Sequence, residues 1–231
     1  RQGLYKATST QIKVDLRDVL EVDEAARTVR VEPLVTMKQL SDTLVPLGWT
    51  LPVMPELDDL TVGGLISGCG VETSSHRYGM FQHTCVALEV VTAEPRVITC
   101  TADNEHSDLF FAFPWSHGTL GFLVSATIRI VPAKSHVRLT YSPYVRREEG
   151  AAALLAAARD ADGDVDFVEA LGFGEGMVVM TAQLVDYAEA SAEDRARVNR
   201  IGRWYKPWFF SHARSFLEAA QASSSSSPAS S

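Results

Sequence analysis

The sequence predicts an α+β protein. Three observations carry that prediction. Apolar residues alternate in residues 29–35 and 122–131, they recur at helical spacing at Met37, Leu40 and Leu44, and composition shifts near Pro132, beyond which an alanine-rich helix precedes a hairpin.

Each element has its own signal. Residues 29–35 read V-R-V-E-P-L-V, which predicts a strand with Val29 and Val31 on one face. Thr36 can cap the helix that follows, and Gly48 can stop it. Residues 49–53 are expected to be extended, since Pro52 and Pro55 disfavour helix before them. Residues 84–92 and 96–101 predict a hairpin around Ala93-Glu94-Pro95. Residues 107–113 predict a short capped helix that Pro114 breaks, and 122–131 a strand with Val124, Ala126, Ile128 and Ile130 alternating. Further on, a helix is expected over 148–161, then strands 166–171 and 177–185 around a turn at 172–176. Such a βαββ unit reads as the opening of a second domain. The expected division is 1–132, 133–218 and a disordered serine-rich tail at 219–231.

Composition excludes several classes. A net charge of −8 argues against a nucleic-acid partner, which needs a basic face. Cys69, Cys85 and Cys100 show no C-x-x-C spacing, so neither a disulfide framework nor a zinc site is indicated, and a reducing compartment is expected. No apolar run reaches the ~18 residues of a membrane span, and no charged-then-apolar pattern of a signal peptide is seen in these residues. The chain starts at Arg1 and ends in serines, so it is expected to be a fragment, with any targeting segment upstream.

The run TVGGLISGCGVET at 61–73 holds four glycines in eight residues. It lacks the Gly-Lys-Ser/Thr of a P-loop, and Thr73 stands where a G-x-G-x-x-G turn needs its last glycine. Its flanks are too charged for a membrane dimer motif. Three readings stay open at this point: tight packing, a plain loop, or a loop whose backbone N–H groups cradle an anion such as a diphosphate.

Three blocks in order, TVGGLISGCGVETSSHRYG, FQHTCVALEVVTA and SDLFFAFPWSHGTLGFLVSATIRIVPA, resemble the second half of the FAD-binding domain of vanillyl-alcohol oxidase and PCMH-type flavoproteins. LGWTLPVMPELDDLTVGGL at 47–65, SSHRYGMFQHTC at 74–85 and WYKPWFF at 204–210 narrow the resemblance to the delta-24-sterol reductase family, over about residues 4–217. The resemblance implies the second lobe of a PCMH-type FAD-binding domain, a mixed sheet flanked by helices, followed by the start of an α+β cap. It also implies FAD as cofactor, NADPH as reductant and a sterol as substrate. For the full-length protein it implies the cytosolic face of the endoplasmic reticulum membrane.

By the same resemblance the cofactor-binding residues are Thr61, Val62, Gly63, Gly64, Leu65, Ile66 and Ser67, continuing through Gly68, Cys69, Gly70, Val71, Glu72 and Thr73. Gly79 closes the stretch. His76 and Tyr78 share a face of an extended loop and are candidates to hydrogen-bond the flavin or substrate; packing of Tyr78 and an ordinary surface role for His76 are the other reading. The lobe that supplies the first diphosphate turn in this family is absent upstream, and part of the cap is absent downstream, so no catalytic acid carries over.

The implied reaction is reduction of a side-chain alkene, in which protonation builds tertiary cationic character that a hydride then quenches. An apolar pocket is required. Val168, Leu171, Val178 and Met180 are its candidates, with core packing as the alternative. Residues 195–214 carry Arg195, Arg197, Arg200, Arg203, Lys206 and Arg214 interleaved with Trp204, Tyr205, Trp208, Phe209 and Phe210. That composition suits an anionic membrane interface, or a helix packed on the rest of the cap. Two further readings are an FAD-linked oxidase of an alcohol or hydroxy acid, and a non-catalytic truncated flavoprotein that binds membranes.

Overall fold

Val29 and Val31 are fully buried on one face of their strand, as the alternation requires. A computed structural model describes residues 13–160, 163–199 and 203–225. In chain order the elements are β1 (Val19–Asp23), β2 (Thr28–Val31), α1 (Met37–Leu44), a 3-10 turn (Val45–Leu47), β3 (Trp49–Thr50), α2 (Val62–Ser67), α3 (Ser75–Tyr78) and a second 3-10 turn (Phe81–Thr84). There follow β4 (Cys85–Val91), β5 (Val97–Thr101), α4 (Ser107–Ala112), β6 (Phe122–Arg129), β7 (Val131–Pro132), β8 (His136–Tyr144) and α5 (Arg147–Arg159). The last are β9 (Phe167–Phe173), β10 (Gly176–Val185), α6 (Ala192–Ala196) and α7 (Phe209–Ser225).

The chain divides into two compact units, 1–44, 55–70 and 85–130 in one, and 45–54, 71–84 and 131–231 in the other. The change of composition near Pro132 falls at the last of these crossings. The earlier ones leave no mark in composition.

The first unit is built on a five-stranded sheet ordered β1-β2-β6-β4-β5. A mixed sheet was expected, but every pairing in it is antiparallel, because each neighbour is reached by a hairpin or a return connection. Ala126, Ile128 and Ile130 are buried as predicted, whereas Leu123, opposite Val90, replaces Val124 inside. The reason is a bulge: Glu89 faces Ser125 and Val90 faces Leu123, so Val124 is skipped and the alternation changes phase.

Thr36 caps α1 in a reciprocal box. Its Oγ1 accepts the Gln39 N–H at 3.2 Å, and Gln39 Oε1 accepts the Thr36 N–H at 3.0 Å. Met37, Leu40 and Leu44 are the buried stripe of that helix. The cap expected at Ser107 is absent: α4 starts after His106 without a side-chain cap, and the Asn104 side-chain oxygen Oδ1 takes the His106 N–H instead.

Across the sheet, Arg30 pairs with Glu89 at 2.7 Å, and the Ser125 hydroxyl donates to the same carboxylate. The Ser125 hydrogen bond first, and Arg30 after it, hold the Glu89 carboxyl below its usual range against the opposing effect of burial. A carboxyl depressed on folding stabilises above its unfolded pKa, and that contribution is lost as pH falls through the folded value. Acid unfolding of the protein is therefore expected to steepen below about pH 4. Glu89→Gln is expected to flatten that limb in a pH series of urea midpoints; an unchanged limb contradicts the assignment.

The second unit centres on a three-stranded sheet, β8-β10-β9. α5 lies on one face, where Gly150 leaves no room for a side chain against Met177. α7 lies on the other, packing Ala213 and Leu217 on Val178 and Met180. Gly174, at φ +61°, makes the turn between β9 and β10. α7 continues to Ser225, so residues 219–225, expected to be disordered tail, are helical. Residues 226–231 of that tail, and Ala161 of the expected helix, lie outside the described residues.

Candidate functional site

The first half of the glycine run is a helix, and residues 68–72 follow it as a loop. Thr61 caps α2 by accepting the Gly64 N–H on Oγ1 at 3.3 Å, and the other N–H groups at this end are also engaged. Val62 donates to the Val35 carbonyl, Gly63 to that of Pro33, Leu65 to that of Thr61 and Gly68 to that of Gly64. A nest of unengaged donors over 61–68 is thus ruled out, because helix formation and the neighbouring chain have consumed them. The glycines answer to closeness instead. A Cβ on Gly63 would stand 2.8 Å from Pro33 Cβ, and one on Gly68 would stand 2.8 Å from the Gly64 carbonyl oxygen. Gly64 is exposed, and an added Cβ would meet only Thr61 Oγ1, at 3.1 Å. Gly64 and Gly68, four apart, leave one side of α2 as bare backbone.

The loop at 115–118 covers the far end of this helix. Trp115 and His117 donate their N–H groups to the Ile66 and Ser67 carbonyls, each at 3.1 Å. Both adopt left-handed dihedrals, φ +67° and +51°, that non-glycine residues rarely hold. Strain of this kind persists where surrounding bonds fix it, and it concentrates at ligand sites. Between the two, Ser116 Oγ is buried with no hydrogen-bond partner among the described residues. A bare helix side beside an orphaned hydroxyl suits a group that brings its own acceptors, so these residues fit a flavin nucleotide. Sequence reasoning missed Trp115, Ser116 and His117, because left-handed dihedrals and an orphaned hydroxyl leave no trace in residue spacing.

After Gly70 the run passes into the second unit, where its remaining residues serve the sheet edge. The Thr73 carbonyl accepts the Val168 N–H at 2.8 Å. His76 places one ring nitrogen 3.2 Å from the Thr73 carbonyl oxygen and the other 3.2 Å from that of Val165. Arg77 pairs with Asp166 at 2.5 Å, and the second oxygen of Asp166 accepts the Leu184 N–H. These bonds hold residues 73–77 along β9, the edge strand of its sheet, which would otherwise be open. His76 therefore does more than a plain surface residue does. It is a bridge between two backbone segments. His76 and Tyr78 also lie in a helical turn, α3, rather than an extended loop, and Tyr78 packs under the Arg77 guanidinium. Gly79 has φ +74°, and its bare Cα abuts the His83 ring.

The four pocket candidates separate across the second sheet. Val178 faces Leu171 and Met180 faces Glu169, while Val168 faces Thr181 on the opposite side. Val178, Met180 and Leu171 pack under α7 as core. Met180 also lines a cavity of about 150 Å³ together with Thr73, Val137, Leu139, Phe167, Glu169, Ala182 and Phe209.

The basic aromatic segment is exposed, with Trp204 at 94% and Trp208 at 79%. Its charge is partly offset: Arg197 pairs with Glu193, Arg214 with Glu218, and Arg195 lies over the Tyr187 ring. Arg200 lies outside the described residues. Among the described residues no helix is long and apolar enough to cross a membrane, and no cluster of His, Cys, Asp and Glu could hold a metal.

Comparison with known proteins matches residues 2–101 to the model of an FAD binding domain family. The chain is 51% identical over 219 residues to the human Delta(24)-sterol reductase, covering 94% of this chain and 41% of that protein. It is 45% identical to the Delta(24)-sterol reductase homolog dhcr-24 of Caenorhabditis elegans, over 94% of the chain and 43% of that protein. It is 43% identical to the Delta(24)-sterol reductase of Arabidopsis thaliana, over 90% of the chain and 38% of that protein. The chain thus spans about two fifths of the length of these relatives.

Proposed function

Because this chain belongs to the Delta(24)-sterol reductase family, to which it is related over 94% of its length, we propose that it works in an FAD-dependent oxidoreductase that reduces the side-chain Δ24 alkene of sterols with NADPH as reductant. That chain-long identity is the observation that carries the reading. The match of residues 2–101 to an FAD binding domain supports the cofactor.

The geometry supports a division of labour within the run. Gly64 and Gly68 give the bare side of α2 on which the flavin nucleotide lies, with exposed Cys69 following. Ser116 gives the hydroxyl whose buried oxygen has no other partner among the described residues. Gly63 acts at one remove, by letting α2 seat on Pro33. Thr73, His76 and Arg77 hold the end of the run to β9. When bound, the flavin supplies hydride chemistry. Exposed Trp204, Trp208 and Phe210, beside Arg203 and Lys206, suit the interface of an anionic bilayer, the place from which a sterol is collected. The cytosolic face of the endoplasmic reticulum is the location this reading favours.

Two measurements test it. Cys69 is exposed, whereas Cys85 and Cys100 are buried, and burial pushes the Cys85 thiol up to about 12. Iodoacetamide is expected to label Cys69 in the folded protein, Cys85 only on unfolding, and Cys69 more slowly once FAD is added. Labelling of Cys69 at the same rate with and without FAD counts against the site. For the reaction, the purified protein with FAD and NADPH is expected to add two hydrogens to a sterol with a side-chain alkene, read by mass spectrometry. Oxidation of an alcohol with oxygen consumption, and no reduced sterol, would instead identify an oxidase.

A further inference from the structure

The His76 ring stands between two acceptors. Its Nδ1 lies 3.2 Å from the Thr73 carbonyl oxygen and its Nε2 3.2 Å from the Val165 carbonyl oxygen, both in hydrogen-bonding geometry. A carbonyl oxygen only accepts, so each contact is a hydrogen bond only when that nitrogen carries hydrogen. Neutral imidazole has one N–H and a lone pair on its other nitrogen, whereas imidazolium has two N–H groups. Both bonds therefore form together only in the cation. In the neutral ring one of the carbonyls faces a lone pair instead, and a bond becomes a repulsive contact.

The link spans 89 residues of sequence, and its two ends belong to the same compact unit. The Thr73 oxygen also accepts the Val168 N–H at 2.8 Å, so both its lone pairs are engaged when His76 donates. Arg77, the next residue, pairs with Asp166, the neighbour of Val165. Of these ties between 73–77 and 165–168, the His76 ring is the one whose residue type changes charge between about pH 5 and 8. The charged and titratable groups around it are Glu72 and Arg77 on its own segment, Asp164 and Asp166 beside Val165, Glu169 on β9, and His83 on the 3-10 turn that packs on α3. Carboxylates and guanidinium groups ordinarily titrate outside that range. His83 answers with the opposite sign: its Nδ1 accepts the Met80 N–H at 3.1 Å, which needs a lone pair on that nitrogen.

We propose that His76 is a proton-dependent latch, which as imidazolium ties the end of the glycine run at Thr73 to Val165 ahead of β9 and on losing a proton lets one of the two go. The latched form holds a proton that the released form does not. The latch is therefore complete in acid and is lost as pH rises through the titration of the ring. It needs no bound ligand.

Hydrogen exchange and ring titration, followed together on the whole chain, test it. With ¹⁵N-labelled histidine the His76 ring is titrated over about pH 5 to 8, and the protection of the Val168 amide is measured over the same range. Protection is taken against the intrinsic exchange rate at each pH and compared with an amide of the central strand β10, so that a global change of stability is separated from a local one. Val168 protection is expected to fall on the order of tenfold as pH rises, with the midpoint of the His76 titration. His76→Gln is expected to give low protection that does not vary with pH. Protection that stays level or rises as the ring loses its proton overturns the latch. A fall that His76→Gln retains also overturns it, since another group then carries the effect. Where His76→Gln does not fold, the wild-type chain decides alone: a midpoint for Val168 distinct from that of the His76 ring overturns the latch.

Discussion

Gly121→Ala is expected to destabilise the first unit by about 2–6 kcal/mol, the sum of an overpacking cost of about 1–3 and a left-handed strain of similar size. Gly121 has φ +155°, and a Cβ there would stand 2.5 Å from the Val91 carbonyl oxygen and 2.9 Å from Val90 Cγ1. Val90 and Val91 are in β4, paired with β6 on one side and β5 on the other, so neither can step aside without breaking a ladder. A loss of that size is a large share of the roughly 5–15 kcal/mol that holds a domain together. Gly118→Ala is the control. Its φ is +77°, but nothing lies within 4 Å of the added Cβ, so only the dihedral cost of about 1 kcal/mol applies. Urea unfolding of the two variants checks the difference. Equal midpoints contradict the close approach at Gly121.

Asp166→Ala is expected to cost about 2–3 kcal/mol and to loosen residues 73–77 from the sheet. Both its oxygens are engaged, one by Arg77 and one by the Leu184 N–H. Removing them strands a guanidinium and a backbone donor together. The pair is 27% and 21% exposed. Its loss should therefore fall between the ~1 kcal/mol of a surface pair and the 3–5 kcal/mol of a fully buried one. Asp166→Asn keeps an acceptor for Leu184 and is expected to lose less. Hydrogen exchange gives the local readout. The Val168 amide, bonded to the Thr73 carbonyl, is expected to exchange faster in Asp166→Ala, whereas unchanged protection means the Arg77 pair does not hold the segment.

Elements whose signal is local were legible in the sequence. Thr36, Met37, Leu40 and Leu44 specified α1 through a cap and a 3.6-residue period, and the alternation over 29–35 announced the buried face at Val29 and Val31, although the strand itself ends at Val31. The hairpins of β4 with β5 and of β9 with β10 followed from their turns. What could not be read depends on partners far along the chain. The glycine run looked like a loop because Gly63 lowers helix propensity; its reason, Pro33, lies thirty residues upstream. His76 and Arg77 meet Val165 and Asp166 across 89 residues, so neither bridge has a local signature. Val124 was assigned inward because alternation carries no warning of a bulge set by β4. The serine tail was expected to be disordered on composition, yet α7 runs on to Ser225, where the amphipathic stripe that buries Ala213 and Leu217 has already nucleated the helix.

The most direct test of the central claim is the colour of the flavin. The protein loaded with FAD and reduced by NADPH without oxygen is expected to regain its oxidised flavin absorbance when a sterol with a side-chain alkene is added, and to stay bleached with the same sterol saturated in its tail. Reoxidation by both sterols, or by neither, would contradict reduction of the tail alkene at this site.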